Sequence, residues 1–283
     1  MDVMSGRIRP KRMGRWLRRQ VWSVWYEYVG HLTGAAPYEF LNFGFDHETE
    51  WQPLRLAADD EPDRLFINLY HKVAGEIDLR GRDVLEVGAG RGGGASYLYR
   101  YLQPARLLAV DRSARLITHG NEHHRRPGLH FERRDAEALE LPSDSFDVVI
   151  NIESSHAYGQ RQRFLQQVWH VLRPGGSLLM ADFFLAGAIA TWERDVTATG
   201  FAVHAKEDIT AGVLRSLDQS SALRLQAIRD LTPRWLSPLF RNFVGAQGSR
   251  VVRAMRTGRT RYLRYELAKA GGESRQELLI REG

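Results

Sequence analysis

Between Gly81 and Ala181 the chain alternates short apolar runs with longer amphipathic stretches. Asp83 to Val87 (DVLEV) ends directly in glycines, and Leu107 to Val110 (LLAV) closes at Asp111. His130-Phe131-Glu132 is a weak third run, Phe146 to Asn151 (FDVVIN) a strong fourth, and Ser177 to Ala181 (SLLMA) a fifth. Runs that are apolar at consecutive positions predict strands buried on both faces, as in a parallel sheet. Arg161 to Leu172 has helical spacing and stops at Pro174-Gly175-Gly176. The alternation predicts an α/β fold with a doubly wound, mostly parallel sheet.

The flanks read differently. Leu17, Val21, Val24, Trp25, Tyr28 and Val29 follow helical spacing, with Arg15, Arg18 and Arg19 off that face. Glycines, Pro37 and the aromatic run from Tyr38 to Phe45 break the pattern. A second helix is expected from Glu61 to Ile77, with Asp60 as N-cap and Pro62 in the first turn. Residues 201–260 read as helical, interrupted by Pro233 and Pro238, and Arg261 to Lys269 as the last strand. Four parts follow: a helical and aromatic lid over 1–60, a core over 61–200, a helical cap inserted over 201–260, and the last strand with its tail over 261–283.

Composition narrows the class. With 43% apolar and 26% charged residues the chain reads as a soluble globular protein, and no segment holds the roughly 20 uninterrupted apolar residues of a membrane span. Absence of Cys excludes disulfides, thiolate metal sites and a cysteine nucleophile. Without a clean signal peptide, a cytoplasmic location is expected. The formal charge of +6 is uneven: residues 1–20 carry seven Arg and Lys against Asp2, whereas the span 21–212 is net acidic. A nucleic-acid enzyme would run a basic stripe across its catalytic half, so nucleic acid is not expected as a partner. Arg far outnumbers Lys, which reads as the mark of a high-GC bacterial genome.

The chemistry starts at Glu86-Val87-Gly88-Ala89-Gly90-Arg91-Gly92-Gly93-Gly94. Glycines after a first strand let the backbone turn tightly and approach a ligand at a helix N-terminus. Gly88, Gly90 and Gly93 also satisfy G-x-G-x-x-G, so a nicotinamide oxidoreductase remains an alternative. Asp111, ending the second run, suits a ribose diol in either cofactor. Asp135-Ala136-Glu137 before Leu141-Pro142, then Ser145-Phe146-Asp147-Val148-Val149, then Val171-Leu172-Arg173-Pro174-Gly175-Gly176 resemble in order and spacing the later motifs of class I S-adenosylmethionine (SAM)-dependent methyltransferases. That resemblance implies SAM as cofactor and a Rossmann-like sheet of seven mostly parallel strands. It sets Glu86 toward the ammonium of the methionine moiety, Asp135 at the adenine amino group, Ala136 at the ring, and Asn151 where the fourth strand passes the cofactor. Gly88, Gly90 and Arg112 complete the expected cofactor set, and no metal is expected.

The fourth strand runs into Ile152-Glu153-Ser154-Ser155-His156-Ala157-Tyr158, which puts His156 at the carboxyl end of the sheet. His titrates near neutrality and suits the deprotonation of a hydroxyl acceptor. Of the ten histidines only His156 holds such a position, and His123 and His124 read as solvated. The segments Asp60-Glu61-Pro62-Asp63-Arg64, Ile67-Asn68-Leu69-Tyr70-His71, Gly92-Gly93-Gly94-Ala95-Ser96-Tyr97-Leu98, Glu153-Ser154-Ser155-His156 and Val244-Gly245-Ala246-Gln247-Gly248-Ser249-Arg250 resemble the mycobacterial phthiotriolone/phenolphthiotriolone dimycocerosate methyltransferases, over most of residues 17–269. The resemblance implies O-methylation of a secondary hydroxyl on a long lipid. It also leaves C-methylation of a prenylated metabolite, or a SAM-retaining cyclase, as alternatives, since related enzymes act on other natural products. Where that family carries Ser-Cys-Gly-His, this chain has Gly88-Ala89-Gly90-Arg91. The acceptor is expected to be small and hydrophobic, met by Trp22, Tyr26 and Tyr158. The basic N-terminal segment could touch a membrane surface without stable insertion, or cover a neighbouring subunit, which favours a homo-oligomer.

Overall fold

The computed structural model describes residues 38–47, 53–231, 240–242 and 244–270. Its centre is one seven-stranded sheet in the order β3-β2-β1-β4-β5-β7-β6. The strands are β1 (Asp83–Val87), β2 (Arg106–Asp111), β3 (Leu129–Arg133), β4 (Phe146–Ile152), β5 (Leu172–Leu185), β6 (Phe201–Asp208) and β7 (Thr260–Lys269). The first five pair in parallel, and β7 runs antiparallel to both β5 and β6. The expected doubly wound sheet is therefore present. Val84 and Ile150 bury into one apolar cluster and Leu85 and Val149 into the other, so both faces are covered. That is why the central strands read as unbroken apolar runs.

Helix α1 (Arg64–Ala74) precedes β1, helices α2 (Gly93–Leu102), α3 (Ala114–His123), α4 (Arg161–Val171) and α5 (Ile189–Thr199) connect strands, and α6 (Thr210–Gln219), α7 (Ser221–Leu231) and α8 (Arg250–Arg256) lie between β6 and β7. The strand order reverses between β1 and β4, and a crevice opens at the carboxyl ends of strands at such a point. Among the described residues no helix is long and apolar enough to cross a membrane.

Three local expectations need correction. Residues 201–208 form strand β6 rather than the start of a helical insertion. Gly200, at φ 106°, ends α5, and β6 lies at the sheet edge with most side chains exposed. An edge strand with two wet faces carries no apolar alternation, so periodicity could not reveal it. Asp60 is not a helix cap: it lies inside a 3-10 turn (Ala58–Asp63) and binds Arg100 at 2.6 and 2.8 Å. β5 is also longer than Ser177 to Ala181, because it enters through Pro174-Gly175-Gly176, where its pairing with β4 shifts register.

The aromatic segment 38–46 lies across the crevice. Phe43 and Phe45 are buried in the larger cluster, worth about 1.5–3 kcal/mol each in burial. Their backbone is pinned to three helices or their approaches. Phe45 N donates to Leu65 O at 2.8 Å, Asp46 N to Gly212 O at 3.1 Å, and Arg224 Nη2 to Phe43 O at 2.9 Å. The expected lid helix over 17–29, with Trp22 and Tyr26, lies outside the described residues.

Candidate active site

An open cavity of about 1040 Å³ lies at the carboxyl ends of β1, β2 and β4, and its wall includes Gly88, Gly90, Asp111, Arg112, Asp135, Ala136 and Tyr158. Seven of the residues singled out from sequence therefore converge on one space. Its opposite wall is the segment Glu39 to Asn42, with Tyr70 from α1. Glu86, Asn151 and His156 stand outside the wall itself.

The glycine turn has a steric cause. Gly88 has φ 83°, and a Cβ there would come within 2.4 Å of Ser154 Oγ. Gly94, in the first turn of α2, has Tyr70 so close that a Cβ would sit 1.9 Å from its ring. Both positions exclude any side chain at all. Asp111 holds the turn from the next strand: its Oδ2 accepts from Gly90 N at 3.0 Å and its Oδ1 from Ser113 N at 2.9 Å. A carboxylate offers about four acceptor positions, and Asp111 lines the cavity from which a ribose diol would approach. Asp135 shapes a turn as well, its Oδ1 accepting from Glu137 N at 3.0 Å, while it also lines the cavity.

Behind the wall lie two buried acceptors. Tyr70 donates its hydroxyl proton to Glu86 Oε1 at 2.8 Å, and Glu86 Oε2 is buried without a protein partner. Burial is the main force on this carboxyl and Asp111 adds to it; together they outweigh the Tyr70 hydrogen bond and raise its pKa to about 7. Asn151, fully buried on β4, donates from Nδ2 to Val87 O at 2.8 Å and also approaches Ser154 Oγ and Tyr158 OH, at 2.6 and 3.0 Å. Its Oδ1 has no protein partner. Two orphaned acceptors next to a glycine cradle suit a ligand that brings cationic donors. SAM, whose ammonium supplies such donors, fits that description.

His156 sits in the 3-10 turn that follows β4 (Ser155–Ala157), beside the wall residues Ser154, Ala157 and Tyr158. Its Nδ1 lies 2.9 Å from Asp182 Oδ1 on the adjoining strand β5. Asp182 is completely buried and also accepts from Ser155 Oγ, His156 N and Phe183 N at 2.6–2.8 Å. Burial alone would raise its pKa, but the His156 ring, Arg161 and these donors hold it below the usual carboxylate value. An ionised Asp182 can only accept, so Nδ1 of His156 carries the proton and Nε2 is the basic nitrogen. The ring stacks on Phe183 with centroids 4.3 Å apart, and Phe183 stacks on Phe43 at 5.8 Å.

Sequence reasoning missed three members of this arrangement. Asp182 is a charge inside an apolar run, and a lone carboxylate in a buried strand requires a partner. Glu153 lines the cavity in a left-handed conformation, φ 48°. It accepts from Phe43 N at 2.7 Å and Tyr262 OH at 2.6 Å. Burial raises its pKa to about 8, with Asp182 adding to the effect against those donors and Arg224. The third miss is His124, expected in solvent; its Nε2 is 2.8 Å from Glu39 Oε2 and its side chain is only 14% exposed.

A family model described as a methyltransferase domain matches residues 85–180, from β1 into β5. The phthiotriol/phenolphthiotriol dimycocerosates methyltransferase of Mycobacterium leprae is 40% identical over 89% of this chain and 93% of its own length. A fatty-acid O-methyltransferase of Mycolicibacterium smegmatis is 33% identical over 89% and 90%. The crystal structure of geranyl diphosphate C-methyltransferase from Streptomyces coelicolor, with bound S-adenosyl-L-homocysteine, superposes with a TM-score of 0.64 over 89% of this chain and 98% of that one. At 14% identity that last likeness is one of fold. The chain is a class I SAM-dependent methyltransferase and belongs to the family of the phthiotriol/phenolphthiotriol dimycocerosates methyltransferases.

Proposed function

We propose that this methyltransferase O-methylates a hydroxyl group on a hydrophobic lipid or natural-product acceptor, with His156 as general base. The observation that carries the reading is the His156–Asp182 pair beside the cofactor cavity. When bound, SAM supplies an electrophilic methyl group on a sulfonium. The acceptor oxygen forms the new bond to that carbon as the carbon–sulfur bond breaks, and the hydroxyl proton passes to His156 Nε2. Asp182 fixes the ring and stabilises the imidazolium that results. The names of two relatives, one a phthiotriol-type and one a fatty-acid O-methyltransferase, favour a lipid acceptor.

A second reading is C-methylation of a prenylated acceptor. The aromatic rings of Phe40, Tyr70 and Tyr158 on the cavity wall favour it, because aromatic faces stabilise a carbocation. Incubation with methyl-labelled SAM and phthiotriol, fatty-acid or prenylated acceptors separates the two. Label on oxygen is expected. Label on carbon would transfer the assignment to the second reading, and an unlabelled cyclised product would refute methyl transfer.

Asp111, Arg112, Asp135 and Ala136 are assigned to the nucleoside of SAM, Gly88 and Gly90 to its backbone cradle, and Glu86 with Asn151 to its ammonium. Glu86 has a testable signature. Its carboxyl is protonated below about 7 in the folded protein, and only the carboxylate attracts an ammonium. SAM affinity is therefore expected to rise by up to about tenfold per pH unit from pH 6 to 7 and to level off above it. Calorimetry should show proton release over the same range. Glu86→Gln should bind SAM weakly with no such slope; a wild-type affinity flat across this range would remove Glu86 from the cofactor set.

A further inference from the structure

We propose that Glu39, His119 and His124 form a binding site for a divalent transition-metal ion that fastens the segment 38–42 to α3. Both imidazole Nε2 atoms point at one oxygen, Glu39 Oε2, from 2.9 Å (His119) and 2.8 Å (His124). The three candidate ligand atoms lie within 4.8 Å of one another. Metal–nitrogen and metal–oxygen bonds of about 2.0–2.2 Å put ligand atoms roughly 3.3 Å apart around a tetrahedral ion. Entry of an ion thus requires shifts of an ångström or so, and each neutral imidazole must present a bare Nε2 with its proton on Nδ1. Two imidazoles and a single carboxylate suit Zn²⁺, Co²⁺ or Ni²⁺ rather than Mg²⁺ or Ca²⁺, which favour oxygen ligands.

The donors are held by their surroundings. The His119 ring stacks on His123 with centroids 4.0 Å apart, and His123 Nδ1 contacts His119 O at 3.0 Å. His124 packs against the glycine turn, where a Cβ on Gly92 would be 3.0 Å from its Cδ2. The side chains of Glu39, His119 and His124 are 28%, 10% and 14% exposed, which leaves an entry path without an open face. Arg91 opposes a cation, but its Nη2 stands 3.9 Å from the other oxygen, Oε1. Affinity then rests on the imidazoles. Because Glu39 to Asn42 form one wall of the cofactor cavity, an ion at this place would hold that wall closed. The inference stands whatever acceptor is methylated.

The full chain, stripped of metal with a chelator, is titrated with Co²⁺ and with Zn²⁺. One ion per chain is expected, with visible Co²⁺ absorption of a nitrogen and oxygen site and slower SAM release once it is bound. His124→Ala and Glu39→Gln should weaken binding at least about 10-fold, whereas His204→Ala, an exposed histidine on β6, should not. Absence of stoichiometric binding, or binding that survives both substitutions, would overturn the proposal. If either variant fails to fold, X-ray absorption of the zinc-loaded wild type decides: two imidazoles and a carboxylate support the site, and any other donor set refutes it.

Discussion

Replacing His156 with alanine is expected to lower methyl-transfer turnover by about 10²-fold or more while SAM affinity changes only a few-fold. Loss of a positioned general base typically costs that much, and His156 is not part of the cavity wall. Asp182→Asn should also be severe, for a different reason. The fully buried carboxylate dictates that Nδ1 carries the ring proton; an amide can donate there instead and leave Nε2 protonated, unable to accept. Turnover in Asp182→Asn should then fall by about 10²–10⁴-fold with little change in acceptor KM. Its pH profile should also differ from that of the wild type, which a purely structural role would not produce. Near-normal turnover of a folded His156→Ala at neutral pH would exclude His156 as base. A matching loss of SAM affinity in either variant would assign the pair to support of the site instead.

How far the sequence could be read depended on how local each determinant is. The central strands were legible because burial on both faces makes them apolar at consecutive positions. The turn from Gly88 to Gly90 and the carboxylate of Asp111 were legible because the end of one strand and the end of the next suffice to define them. β6 was not, since an edge strand has little apolar surface to show. His156 could be picked out by its place after β4, but its partner could not. Asp182 meets it only through the pairing of β4 with β5, which aligns Ile152 with Ala181. Glu39 is more distant still: it stands 80 and 85 residues from the histidines it binds. No window of sequence contains that cluster, and His124, next to His123 in a polar stretch, looks like surface. Glu153 was hidden for a further reason. Its carboxylate is held by Phe43 N and Tyr262 OH, partners that come from opposite ends of the chain.

Asp111→Ala is expected to weaken SAM binding by about 1–3 kcal/mol, or roughly 5- to 150-fold, the usual loss when a charged hydrogen-bonding partner is removed. Two contributions meet in this number. One is the lost contact to the ribose hydroxyls; the other is the glycine turn itself, since Gly90 N and Ser113 N both lose their acceptor. Asp111→Asn helps to separate them. The amide keeps one acceptor oxygen for Gly90 or Ser113, but it loses the charge and presents N–H groups where an acceptor is needed. If the ribose contact dominates, both variants should bind SAM poorly, and the melting temperature without ligand should change little. If the turn dominates, the alanine variant should melt lower without ligand and Asp111→Asn should recover part of that loss. A folded Asp111→Ala with an unchanged SAM dissociation constant would take the residue out of the cofactor site. The ribose would then be left to Arg112 and the backbone of the turn, a weaker arrangement because neither offers a carboxylate to a pair of hydroxyl donors.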